Sequence, residues 1–103
     1  MRHKIIYHFD WDRVKARTNQ TKHGVSFRRA TAVFHDALAV TIYDEVHSDT
    51  EDRWVTIGRE EGGRHLVVVH TFQELSATEI RVRVISARTA DKQEMMAYEE
   101  SPR

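Results

Sequence analysis

The segment from His47 to Arg59, HSDTEDRWVTIGR, gathers an imidazole, three carboxylates, two guanidiniums and an indole at the entrance of one apolar run. Imidazole and carboxylate groups move protons, and guanidiniums hold anions. A chain with no cysteine and no Gly-rich phosphate loop has few other places for chemistry. Side chains alternate along a strand, so Arg53, Val55, Ile57 and Arg59 share one face while Trp54 and Thr56 share the other. A second run, Ile80 to Ser86, projects Arg81, Arg83 and Ile85 together, opposite Val82, Val84 and Ser86, with Arg88 just past its end. Guanidiniums from two strands converging over one sheet would form a bidentate phosphate clamp that lysines could not reproduce.

Composition limits what surrounds this set. A length of 103 residues at 40% hydrophobic content fits one domain spanning 1–103. Sixteen basic and sixteen acidic side chains cancel, so phosphate binding must come from a local patch and not from the field of the whole molecule. The absence of cysteine removes disulfides, thiolate nucleophiles and Cys-based zinc sites, and points to a reducing compartment. The seven histidines do not compose a metal site: His65 and His70 fall on opposite faces of one strand, and no pair has ligand spacing. No metal and no cofactor are expected. The run in MRHKIIYHFD is too short for a signal sequence, and nothing approaches the roughly 18 apolar residues of a membrane span. A soluble, cytoplasmic protein that engages no membrane is expected.

The elements that must position these groups follow from periodicity. Ile5 to Phe9 suits a first strand ending at Asp10. Asp12 stands as the N-cap of a helix over Arg13 to Lys22 that Gly24 closes. Ser26 caps a second helix, in which Phe27, Ala30, Val33 and Phe34 form an apolar stripe that packs on a sheet. Strands follow at Ala39–Tyr43, Arg53–Arg59, His65–Phe72 and Ile80–Ser86, with Glu60 to Gly63 a turn and Gln73 to Thr78 a polar loop. Asp91 and Glu94 have the form of a capping box opening a last helix, before a charged tail from Glu99 to Arg103. The order β-α-α-β-β-β-β-α, with short links, predicts the α+β class: an antiparallel sheet with helices gathered on it.

Taken together, FDWDRVKARTNQTKHGVSF at 9–27, DEVHSDTEDRWVTIGR at 44–59, GRHLVVVHT at 63–71 and RVRVISARTADKQEMMAYEE at 81–100 resemble the BrnT family, ribonuclease toxins of bacterial type II toxin-antitoxin systems. The similarity spans nearly the whole chain in order, and the combination of a KHG turn, an EDR-W-x-x-IG strand and an ISAR strand end is more specific than any one piece. The resemblance implies a RelE-like fold, RNA cleavage without a metal and inhibition of translation. It also implies neutralisation by a cognate DNA-binding BrnA-like antitoxin in a complex that represses its own operon, with a heterotetramer among the assemblies this allows. Arg13 and Arg29 depart from the family pattern, which often has proline and glutamate there; both concern helix starts.

Metal-independent RNA cleavage needs a base for the 2′-hydroxyl, a cation for the phosphorane and an acid for the departing 5′-oxygen. Glu51, Arg53, Arg83, Arg88 and His47 are the catalytic candidates. Arg83, Arg88 and Arg53 form the clamp, Glu51 is favoured as base, and His47 and His23 are the other proton carriers. Trp54, Arg59, Arg81, His23 and Tyr98 are candidates for holding substrate. Structural readings stand beside these. Glu51 and Arg53 suit a surface ion pair. His23 suits a helix C-terminus interacting with the dipole. Trp54, Met95 and Tyr98 suit packing. The functional alternative is a non-catalytic module that docks a protein or RNA on the same charged sheet face.

Overall fold

The computed structural model describes residues 4–102; Met1 to His3 of the N-terminal run and Arg103 of the charged tail lie outside it. Strand β1, Ile6–Asp10, leads into helix α1, Arg13–His23. The Asp12 carboxylate accepts from the Lys15 N–H at the start of this helix, and Gly24 ends it at φ 68°, donating its N–H to the Gln20 carbonyl. That left-handed conformation suits a residue without a Cβ. Ser26 caps α2, Phe27–Ala30, as expected. The second helix is shorter than predicted, because the chain tightens into a 3-10 helix, Thr31–His35. Its apolar residues Phe27, Ala30 and Val33 recur every third position, a spacing that three-residue turns keep in line.

Strands β2, Val40–Tyr43, β3, Trp54–Arg59, and β4, His65–His70, form an antiparallel meander. The polar loop after it contains a two-residue strand, β5, Gln73–Glu74, paired with β6, Glu79–Thr89. The sheet order is β1-β6-β4-β3-β2. Two expectations are corrected here. The element order has one extra strand, and the sheet is mixed because β1 runs parallel to β6. These two strands are joined through the rest of the domain, so no hairpin imposes an antiparallel direction on them. Helix α3, Lys92–Glu100, closes the chain with the predicted capping box from Asp91 and Glu94.

A register shift at Val69 and His70 controls which way β6 presents its side chains. Val69 pairs with Ser86 while His70 pairs with Val84, so Ile85 is an extra residue opposite no partner. A bulge of this kind reverses the alternation beyond it. Ser86 and Arg88, which strict alternation would put with Val82 and Val84, therefore join the face of Arg81 and Arg83. Arg88 also lies within β6, not past its end.

Helices cover both faces of the sheet. On one, Val25, Phe27, Ala30 and Val33 pack against Leu66, Val68, Val84 and Ala87. Gly58 permits the close approach of β3 to the 3-10 helix, since a Cβ there would stand 2.8 Å from the Val33 Cβ. On the other face α3 lays Tyr98 and Met95 over Ile57 and Val67. His65 meets Tyr98 edge to face and His70 meets Phe34 the same way, so these two histidines face opposite ways. Beyond Arg83, where β1 stops, the side chain of buried Asn19 takes the place of a neighbouring strand. It donates to the Ala87 carbonyl at 2.8 Å and to the Val25 carbonyl at 2.9 Å, and accepts from the Ala87 N–H at 3.1 Å.

Candidate active site

The connection from Asp44 to Arg53 is a closed loop held by its own polar groups. The Asp44 N–H donates to the Arg53 carbonyl at 2.9 Å. The Ser48 hydroxyl donates to the Asp44 carbonyl and accepts from the Arg53 N–H at 3.0 Å. Within this loop the Asp44 carboxylate lies 2.9 Å from the Nδ1 of His47 and also accepts from the His47 N–H. Two groups with proton and anion chemistry, His47 and Arg53, are thus fixed by one turn.

Two clefts are bordered by these arginines. One, of about 380 Å³, is floored by Val55, Val67 and Val69 and bordered by Asp44, His47, Arg53, Ser86, Arg88 and Glu94. The other, of about 600 Å³, is bordered by Asp10, Trp11, Glu51, Asp52, Thr71, Phe72, Arg81 and Arg83. Glu51 in the second lies 3.6 Å from the guanidinium of Arg53 in the first, and this pair marks the junction. The Arg53 Nε is buried with no hydrogen-bond partner among the described residues. A buried donor left without an acceptor costs about 1–3 kcal/mol, and such groups concentrate where function holds them.

The predicted clamp is therefore distributed. Arg53 and Arg88 share one cleft, Arg81 and Arg83 the other, with Glu51 and Arg53 between. The fork of Arg88 is also occupied: its two terminal nitrogens each lie 2.7 Å from an oxygen of Glu94. Hydrogen bonding from Arg88 holds the Glu94 carboxyl below its ordinary range, and the same contact raises the Arg88 pKa. Arg83 is anchored through its backbone to Thr71, which donates its N–H to the Arg83 carbonyl at 3.0 Å.

Four candidates stand elsewhere. Trp54 points to the opposite face from Arg53, where its ring meets Tyr43 at 5.0 Å and Phe72 at 6.4 Å. Arg59 is at the far end of β3, a strand length of roughly 20 Å from Arg53, beside His35, Asp36 and Glu60. His23 ends α1 in the layer behind the sheet, next to Gly24. Tyr98 is buried, set edge to face with His65, and donates its hydroxyl to Asp36 at 2.7 Å. Strand alternation or helix packing turns Trp54, His23 and Tyr98 away from the arginine face, and Arg59, on the face of Arg53, is set apart by the length of β3. Asp44, Ser86, Glu94, Asp10 and Trp11 border the clefts without having been singled out for them. For Glu94 a signal existed in the capping box, but the box masked its second partner.

Among the described residues no three His, Asp or Glu side chains gather as a metal site, and no helix is long and apolar enough to cross a membrane. A family model described as ribonuclease toxin, BrnT, of type II toxin-antitoxin system matches residues 11–94. Among solved structures, the chain is similar to the ribonuclease toxin BrnT of Brucella abortus. The two share 31% sequence identity at a TM-score of 0.52, over 88% of this chain and 100% of that one. None of the curated proteins matches.

Proposed function

The chain belongs to the BrnT family of ribonuclease toxins of type II toxin-antitoxin systems, and from that premise we propose that it is an endoribonuclease acting where its two clefts meet. The observation that carries this reading is Arg53, a guanidinium fixed at the junction with its Nε buried and unpartnered and with Glu51 only 3.6 Å away. A scissile phosphate seated on Arg53 would lie between the cleft that Glu51 borders and the cleft that His47 borders. In-line displacement asks for that separation, because the attacking and departing oxygens leave phosphorus in opposite directions.

In the proposed reaction, Glu51 takes the proton of the 2′-hydroxyl as that oxygen bonds to phosphorus. The bond from phosphorus to the 5′-oxygen breaks, and His47, entering as the imidazolium, passes its Nε2 proton to the departing oxygen and keeps the one on Nδ1. The products are a 2′,3′-cyclic phosphate and a free 5′-hydroxyl. Arg53 neutralises the charge that builds on the phosphorane oxygens, and Arg81 and Arg83 hold the neighbouring phosphate. Arg88, engaged by Glu94, adds its charge to the cleft wall. All three roles are filled by protein groups, so the proposed chemistry is metal-independent.

Around this site the same reading puts a RelE-like fold, inhibition of translation through RNA cleavage in the cytoplasm, and a BrnA-like DNA-binding antitoxin that forms a complex, a heterotetramer in one form, with the toxin. Labelled RNA incubated with the protein and a chelator tests the activity. Cleavage that disappears in folded Arg53→Ala and Glu51→Gln variants supports the enzyme. Intact RNA under every condition, with folding verified, assigns the chain to the non-catalytic binding alternative.

A further inference from the structure

Resting on the reading of His47 as the acid, we infer that Asp44 is the positioning residue of this site, fixing both the tautomer of His47 and the seat of Arg53. The His47 side chain is 67% exposed and the Asp44 side chain 18% exposed, so a well-packed carboxylate holds a ring that would otherwise turn freely in solvent. Both Asp44 oxygens face Nδ1, at 2.9 and 3.2 Å. A carboxylate accepts and cannot donate, so the hydrogen in this contact belongs to Nδ1. In the imidazolium the proton available for transfer is then the one on Nε2, the nitrogen that Asp44 does not engage, and its loss leaves the neutral ring with hydrogen on Nδ1. The main chain of Asp44 does a second job. Its N–H meets the Arg53 carbonyl at 2.9 Å, and its carbonyl accepts from Ser48, whose oxygen receives the Arg53 N–H at 3.0 Å. Proton donor and phosphate cation are thereby set at a fixed offset by one residue, which itself borders the cleft. Orientation of an imidazole by a carboxylate on its distal nitrogen is a general device for making the other nitrogen productive.

The test compares the full-length protein with Asp44→Asn and Asp44→Ala, using nitrogen-15 histidine spectra assigned with a His47→Gln variant, alongside cleavage kinetics. Asparagine fills the same volume but can turn its amide N–H toward the ring, which forces the opposite tautomer. The neutral His47 ring carries its hydrogen on Nδ1 in the wild type and on Nε2 in both variants. Asp44→Asn lowers kcat by about 10²–10³-fold while KM changes by less than about 3-fold. A merely structural aspartate would be rescued by its isostere. Retention of the Nδ1-protonated ring in either variant overturns the inference for Asp44 and leaves His47 as acid standing. A shifted tautomer combined with unimpaired cleavage by His47→Gln overturns the acid assignment, and with it the purpose given to Asp44.

Discussion

The guanidinium of Arg88 and the carboxylate of Glu94 meet edge to edge, each terminal nitrogen 2.7 Å from its own oxygen, joining β6 to the first turn of α3. The same carboxylate accepts from the Asp91 N–H at 2.9 Å, so one side chain caps a helix and holds an arginine of the cleft.

Glu94→Gln should weaken the fold by about 1–3 kcal/mol, from the loss of a charge-assisted pair and part of a cap. The carboxyl is held below its ordinary value of 4.5 chiefly by Arg88, so its contribution is complete above that pH and is lost as pH falls through the lowered folded-state value. Urea denaturation across the acid range reads this as a shallower acid limb in the variant. Identical limbs would remove the pair from the list of stabilising contacts.

Arg53→Ala should lower kcat/KM by about 10²–10³-fold, and Arg53→Lys should recover little of it, because an ammonium is a point charge where a planar fork is needed. Steady-state cleavage of a short RNA decides the matter. Recovery by lysine to near wild-type rates would mean that charge alone suffices.

Asn19→Ala should cost about 3 kcal/mol, because it strips partners from the Ala87 N–H and carbonyl and from the Val25 carbonyl in a buried place. Thermal and urea unfolding measure it. A loss below about 0.5 kcal/mol, the size of an ordinary surface change, would deny Asn19 its role as strand substitute.

His70 is fully buried, set edge to face with Phe34, and bonded to Thr56 at 2.7 Å. Burial lowers its pKa, against a smaller opposing effect from its bond to the Thr71 carbonyl. The unfolded chain therefore binds a proton that the folded one refuses. Stability from the neutral ring is complete above the ordinary histidine value of 6.5 and declines as pH falls below it toward the folded-state value. Denaturation between about pH 7.5 and about pH 5 should show this decline, and a His70→Asn variant should lack it.

An antitoxin that binds only the folded toxin should raise its melting temperature, by the equivalent of about 2.7 kcal/mol at a hundredfold excess over Kd, and should abolish cleavage. Co-expression with a candidate antitoxin, followed by differential scanning fluorimetry, provides the check. An unchanged melting temperature would separate this toxin from that partner.

Much of this arrangement is legible in local patterns. Asp12, Ser26 and Asp91 announce helix starts because a cap and the amide it satisfies are three residues apart. Tyr7 and Phe9, or Val55 and Ile57, reveal strand faces by simple alternation. What stays hidden is set by partners far off in the chain. Asn19 gives no sign of its bonds to Ala87, 68 residues away. Parallel pairing of β1 with β6 leaves no turn to read. The pairing of Arg88 with Glu94 hides behind a capping box that explains the glutamate on its own. Trp54 and Tyr98 carry the right chemistry for RNA, but packing turns both inward.

The unpaired Ile85 works as a frame marker for everything downstream of it. Deleting Ile85 would make Val84 and Ser86 consecutive and turn the bulge into a regular ladder, whereas a slip that paired Ile85 in place of Ser86 would swap Ala87 and Arg88 between layers and send a guanidinium into the apolar side. What keeps Arg88 over the cleft is therefore the pairing of Val69 with Ser86, and the bulge is the one place in β6 where the ladder can hold or shed a residue without turning that guanidinium over.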